Sequence, residues 1–465
     1  MEERRRDHVQ QSAAGQADSG EREIRLSDHF TYRKLLRFTW PSVAMMIFTS
    51  IYGVVDGFFV SNFAGDLPFK AVNLIMPFLM ILGTVGFMFG TGGTAIVAHT
   101  YGVGDRQAAN RYFSLFVYVT LGISAVLAVL GLLFLRPIAG LLGARGELLE
   151  HCVTYGRIIL TTLPFLVLQF LFQSFLVAAE KPRLGLLVTV AAGVTNMVLD
   201  ALLVLLLPQP YKLAGAAAAT AMSQLVGGAV PLIYFWREND SLLRLGPTRL
   251  EGRILRKACV NGSSEFMSNV SMNLVAILYN LQLLRFAGED GVAAYGVMMY
   301  VSMIFNAAFL GYTVGVAPVV SYHNGAANHR EKQSLLRRSA VIIGLCGLLM
   351  LLSAELLAGP LAGLFVGYSP ALSAMTVHGL RIYAAAFPLM GVSIFGSGFF
   401  TALNDGLTSA LISFLRTLVF QTGAVLVLPL VFGLDGIWLS VVAAELFSVV
   451  ITLLFLAAKR QKYHY

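Results

Sequence analysis

Residues 63–72 read FAGDLPFKAV, and residues 286–295 read FAGEDGVAAY. The second stretch follows the first at an offset of 223 in a chain of 465, and the spacing persists: HTYGVGDR at 99–106 falls on YHNGAANH at 322–329, which sets Gly102 on Gly325. At the same offset Arg136-Pro137-Ile138-Ala139-Gly140 falls on Gly359-Pro360-Leu361-Ala362-Gly363. At an offset of 224, RIILTTLP (157–164) overlays RIYAAAFP (381–388), and at 221 Leu213-Ala214-Gly215 overlays Leu434-Asp435-Gly436. Offsets this constant across five landmarks mark a duplication, and the fold follows from what each copy contains.

Each copy is apolar. The chain is 57% hydrophobic and 12% charged, with a mean hydropathy of +0.73, whereas a soluble domain carries about 25% charged residues. Too little charge remains to cover a water-facing surface, which excludes a soluble enzyme. About 20 apolar residues cross a bilayer as a helix, and twelve runs qualify: 38–60, 72–99, 113–135, 157–179, 185–207, 213–236, 258–284, 292–320, 335–358, 376–402, 407–432 and 437–458. The expected fold is therefore an all-α polytopic membrane protein of twelve spans. Six spans per copy insert both copies in the same orientation, related by a pseudo-two-fold axis along the membrane normal. Two six-helix lobes then flank a cleft. The division is a polar tail (1–28), an N-lobe (29–236), a basic linker (237–257), a C-lobe (258–458) and a short tail (459–465).

Charge placement orients the bundle. Of the 33 Lys and Arg, 25 fall in the two tails, the even-numbered loops and their margins, and basic residues are retained on the cytoplasmic side. Both termini are thus expected to be cytoplasmic. The net charge of +8 records topology and implies no nucleic-acid partner. Cys152, Cys259 and Cys346 are too far apart for a disulfide framework or a Cys-rich metal site, and the eight histidines lie in tails, loops or near span ends. No enzymatic constellation is present and no cofactor is expected.

An ionisable group inside the hydrocarbon is costly and marks a candidate site. In the first half two stand out, Asp56 in span 1 and Asp200 in span 5, at similar depth from the outer ends of their spans. Asn196 lies one turn before Asp200 on the same face, and Thr220 in span 6 adds a hydroxyl. Two carboxylates, a carboxamide and a hydroxyl make an oxygen-rich site for a proton, or for Na⁺ held by Asp56, Asn196 and Asp200; two carboxylates this close in a low dielectric share a proton. The duplicate has Tyr279 and Gln421 at the positions of Asp56 and Asp200, so the carboxylates are not required by the shared scaffold. In the second half, depth sets Glu265 within reach of Arg416 as an ion pair bracing spans 7 and 11. Glu445 in span 12 is expected to face the cleft and attract cationic substrates. Tyr52, Met45 and Met298 are candidates for an adaptable apolar lining, methionine being flexible and polarisable. Pro164 and Pro388 are expected to kink their spans.

VVDGFFVSNFAG (54–65), NMVLD (196–200), LAGAAAATAMSQ (213–224) and FGLDGIWLS (432–440) resemble the multidrug and toxic compound extrusion transporters over essentially the whole chain beyond residue 28. The SSEF segment (263–266) resembles the branch typified by staphylococcal multidrug exporters. The resemblance implies a V-shaped pair of lobes in a bacterial cytoplasmic membrane, a monomer, and export of cationic or amphiphilic drugs and dyes in exchange for H⁺ or Na⁺. It implies that Asp56, Asn196, Asp200 and Thr220 form the N-lobe cation site. Span 10 lacks the carboxylate that one branch of the family uses for a C-lobe site. The alternative within the same superfamily is a flippase for lipid-linked precursors, which requires a cationic cleft.

Overall fold

The computed structural model describes residues 24–465; residues 1–23, most of the expected polar tail, lie outside the described residues. Among the described residues the chain is helical throughout, as a backbone must be where no water can satisfy its N–H and C=O groups. The first lobe contains α1 (Tyr32–Ala64), α2 (Asp66–Val103), α3 (Arg106–Leu141), α4 (Glu147–Thr161 and Leu163–Ala178, bent by 56°), α5 (Pro182–Leu206) and α6 (Lys212–Trp236). The second begins with a 74-residue helix, Gly252–Gly325, broken at Gly288 (φ 63°, ψ −151°) into the arms α7 (252–287) and α8 (289–325). It continues with α9 (His329–Val366), α10 (Pro370–Ala384 and Phe387–Ala402, bent by 45°), α11 (Gly406–Phe432) and α12 (Leu434–Tyr463). Among the described residues, twelve spans in two lobes result.

The duplication read from sequence reappears in the backbone. Gly65 (φ 109°) ends α1 as Gly288 ends α7, and no side chain disturbs either left-handed turn. Asp105 caps α3 through the Ala108 N–H (2.9 Å), and Asn328, its counterpart in the second copy, caps α9 through the Glu331 N–H (3.2 Å). The bends of α4 and α10 fall at the paired prolines Pro164 and Pro388, each in the first turn after its break.

Glycines let the lobes touch, and they do so reciprocally. A Cβ at Gly92 or Gly262 would collide with the facing backbone across α2 and α7, and one at Gly311 or Gly315 would press on α1 at Ser42, Val43 and Thr39. Gly102 and Gly325, the overlaid pair, meet the carbonyls of Tyr322 and His99. These approaches all lie in the halves of α1, α2, α7 and α8 nearest the chain ends. We call that side the terminal face; toward Gly65 and Gly288 the lobes diverge into the arms of a V.

The packed chain begins earlier than the hydropathy boundary at 28. Leu26 and Phe30 are buried. The Leu26 N–H donates to Glu180 of the first lobe (2.5 Å), while the Phe30 N–H donates to Glu331 of the second (2.9 Å), which also pairs with His29 (2.7 Å). Residues 24–31 therefore strap the two lobes together on the terminal face. The 237–257 linker is pinned instead to the start of α3: the Arg244 N–H donates to Asn110 (2.9 Å), the Gly246 N–H to Ser114 (3.0 Å) and Thr248 to the Arg111 carbonyl (2.8 Å).

Candidate functional site: a polar chamber in the first lobe

The interior of the first lobe is polar where its pattern predicts apolar packing. Asp56 stands on α1 one turn before Val60–Ala64, where the helix widens into a π turn, a distortion that recurs at functional positions. Asp200 and Asn196 project from one face of α5, and Thr220 from α6. Asn196 donates to Thr220 (3.4 Å), and Thr220 donates to Asp56 (3.4 Å). Asp200 is the neighbour of Asp56. The four residues singled out in the sequence are thus brought together.

The decisive quantity is what these groups lack. Asp200 is 0% exposed and Asp56 8%. Asp200 and Asp56 are within hydrogen-bond reach of each other, as is the Tyr155 hydroxyl of Thr220, while the Asn196 carbonyl has no protein partner among the described residues. No Lys or Arg forms an ion pair with either aspartate among the described residues. Two adjacent carboxylates away from water cannot both ionise without cost, so the pair favours a shared proton. Asp56, Asp200, the Asn196 carbonyl and the Thr220 hydroxyl supply the oxygen donors a hard cation takes.

Several neighbours escaped the sequence reading. Tyr155, fully buried on α4, lies beside Thr220 and both aspartates. Gln169 donates to Tyr52 (3.5 Å), and Thr162 donates to Gln224 (2.7 Å). Gln173 is buried with neither amide atom partnered. The signal for two of these was present: Gln169 and Gln173 in LVLQFLFQSF sit four apart, on one face of an otherwise apolar helix.

The structure corrects three expectations, two in the second lobe and one that touches both. Arg416 pairs with Glu445, not with Glu265: its Nε lies 2.9 and 3.0 Å from the two carboxylate oxygens and its Nη2 2.8 Å from one of them. Arg416 falls in a second π turn, Leu415–Phe420, and its guanidinium meets α12 there. Glu265 keeps Arg416 as an electrostatic neighbour but is only half-buried and unpaired with it. Glu445 is 0% exposed and spent in this pair, so it does not face the cleft. Met45 and Met298 are likewise buried. Met45 packs on Gly185 of α5 and Met298 fills the space over Gly379 of α10, each methionine occupying room that a glycine opens. Tyr52 stays half-buried, one turn from Asp56.

Two six-helix lobes around a cleft, with uncompensated carboxylates in one of them, define a multi-pass membrane transporter and not an enzyme. The MatE family model matches residues 41–202 and 266–424, one segment in each lobe. The chain belongs to that family, the multidrug and toxic compound extrusion transporters. Among curated relatives it is 24% identical to the multidrug export protein MepA of Staphylococcus haemolyticus over 418 residues, covering 89% of this chain and 90% of MepA. MepA of Staphylococcus aureus (strain N315) is 23% identical over 415 residues, with 89% and 91% covered. Among solved structures, a MATE in complex with MaL6 superposes with a TM-score of 0.89 at 21% identity, covering 96% of this chain and 99% of that one. An outward-facing conformation of a multidrug resistance MATE family transporter gives the same score, identity and coverage.

Proposed function

We propose that the protein is a secondary antiporter that exports cationic or amphiphilic drugs in exchange for H⁺ or Na⁺. One observation carries the reading: the first lobe buries two carboxylates without a counter-charge, and binding of an external cation removes that cost. Occupancy of Asp56, Asp200, Asn196 and Thr220 would then be tied to the conformation of α1, because Asp56 borders the π turn at its end. An imposed cation gradient would drive α1 between two arrangements and expel substrate from the cleft. The names of the curated relatives support multidrug compounds as cargo. The basic-residue count supports a cytoplasmic terminal face, and the protein is proposed to act as a monomer in a bacterial inner membrane with no cofactor beyond the coupling ion.

The flippase reading is less well supported. Arg416, the intramembrane base it would rely on, is neutralised by Glu445. The test is efflux of a fluorescent cationic dye from proteoliposomes under an imposed proton gradient and, separately, under an imposed sodium gradient. Efflux under one gradient and its loss in Asp56→Asn and Asp200→Asn is the expected result. Unimpaired drug-dependent cation exchange in both variants sinks the mechanism.

A further inference from the structure

A cavity of about 940 Å³ opens on the terminal face, apart from the interior of either lobe, lined by Arg25, Asp28, Thr31, Arg33, Lys34 and Arg37 among others. Its volume lies within the roughly 300–1,000 Å³ of small-molecule sites. Four of these residues are cations and one is an anion. The anion is already committed: Asp28 accepts from Lys34 (2.7 Å) and from the Arg25 N–H (3.0 Å). Burial works against its charge, but Lys34 and the Arg25 N–H hold Asp28 below the usual carboxylate range. Asp28 therefore stays ionised at neutral pH and fixes Lys34 at the rim, while among the described lining residues cations outnumber anions.

The surface leading from the cavity has a specific order. Arg33, Arg37 and Trp40 recur at four- and three-residue spacing along one face of α1, with Leu36 beside them, and all four are exposed. Leu36 is 47% and Trp40 65% exposed on a membrane-spanning helix. Tryptophan settles at headgroup depth, so Arg33 and Arg37, with Leu36 between them, meet the headgroup layer, and acyl chains begin beyond Trp40. A cationic cavity continuous with an exposed apolar track matches a molecule that carries phosphate at one end and hydrocarbon at the other.

We propose that this cavity is a binding site for the phosphate headgroup of an anionic membrane lipid, with its acyl chains running past Trp40 into the bilayer. The same guanidinium chemistry would take free phosphate, so the test separates the two sources. The full chain is equilibrated with equimolar phosphatidylglycerol and phosphatidylcholine, and bound lipid is counted by native mass spectrometry. Phosphatidylglycerol should be retained preferentially. The double variant Arg33→Gln/Arg37→Gln should lose about tenfold in its retention, since each juxtamembrane base contributes separately to the attraction. Arg33→Lys/Arg37→Lys should restore most of it, and Lys70→Gln on the opposite face should change nothing. Thermal unfolding in detergent identifies any variant that has lost its fold, and the lysine pair then carries the comparison. Equal retention of the two lipids, or undiminished phosphatidylglycerol binding in the folded glutamine variant, overturns the proposal. So does displacement of phosphatidylglycerol by millimolar inorganic phosphate, which would assign the cavity to the free anion.

Discussion

The two lobes share one backbone plan and manage buried charge in opposite ways. In the second, Glu445 on α12 is met by Arg416 on α11 through both carboxylate oxygens, and the pair is closed. In the first, Asp200 on α5 and Asp56 on α1 have each other and neutral neighbours such as Thr220 as partners, and no base pairs with either among the described residues. At the offset of 221, Arg416 overlays Thr195 and Glu445 overlays Gln224, so the first lobe has neutral residues where the second holds its ion pair. A self-neutralised lobe needs nothing from outside. A lobe with two carboxylates and no paired base is where the proposed coupling puts the exchanged proton or cation, and charge asymmetry between copies would be its source.

The largest expected effect comes from neutralising the first lobe. Asp200→Asn should reduce ion-coupled efflux in proteoliposomes by about 100-fold or more, a loss of ~3 kcal/mol of cation binding. The same change should leave the melting temperature unchanged or raised, because it leaves one carboxylate where two crowd a site with no paired base. A fall in stability instead would mean that Asp200 has a structural partner and would erase the contrast between the lobes.

The second lobe should respond the other way round. Glu445→Gln removes the carboxylate paired with Arg416, whose side chain is 15% exposed and keeps Glu265 nearby, so the cost should fall below the roughly 3–5 kcal/mol of a fully buried pair and appear as a drop in melting temperature. Replacing both partners, as in Arg416→Met/Glu445→Leu, should recover most of that stability and preserve ion coupling. Coupling lost in the stable double variant would show that the second lobe takes part, and the asymmetry would no longer explain the mechanism.

A smaller effect is expected at the hydroxyl that joins α5 to α1. Thr220→Val keeps the volume and removes the hydrogen bonds to Asn196 and Asp56, so apparent affinity for the driving cation should weaken about fivefold, near 1 kcal/mol. The measurement is efflux rate against cation concentration. Removing a buried hydroxyl from the other lobe, as in Ser440→Ala of α12, should leave that dependence unmoved.

The smallest effect concerns the equivalent terminal-face loops. Glu180 and Asn404, which overlay at the offset of 224, both turn with positive φ (62° and 61°). The residues after them differ: Lys181 pairs with exposed Asp240 at 2.9 Å, and Asp405 is buried against Lys459 at 2.7 Å. Burial opposes the Asp405 charge, but hydrogen bonds from Lys459, Tyr463 and Thr408 outweigh it and hold Asp405 below the usual carboxylate range. A depressed carboxylate stabilises the fold above its unfolded pKa of about 3.9 and loses that contribution as pH falls through the lower folded value. Detergent-solubilised protein should therefore melt at lower temperature on acidification below about pH 4, and Lys459→Met should flatten that slope. Lys181→Met should alter it less.

Much of this was legible in the chain because it depends on positions along one helix. Twelve apolar runs, the near-constant repeat offset and the matched depths of Asp56 and Asp200 are all one-dimensional quantities. Asn196 and Asp200 fall on one face by helical spacing alone. Where the reading failed, it needed the rotation of one helix against another. Depth placed Glu265 beside Arg416, but the guanidinium, which sits in the π turn at Leu415–Phe420, pairs with Glu445 on another helix. Met45 and Met298 have the composition of a cleft lining, and glycines on neighbouring helices turn them into packing residues. Tyr155 was missed because a single tyrosine carries no periodic signal.

The sequence by itself determined that this is a duplicated twelve-span membrane protein with two acidic residues in one copy and none at the matching positions of the other. Hydropathy and charge counts suffice for that, since the cost of placing a group in hydrocarbon is set by the group and its depth. Only the tertiary structure decided which buried charges have partners. Pairing depends on a few ångströms between side chains of different helices, and neither span length nor helical period fixes how two helices are turned toward each other.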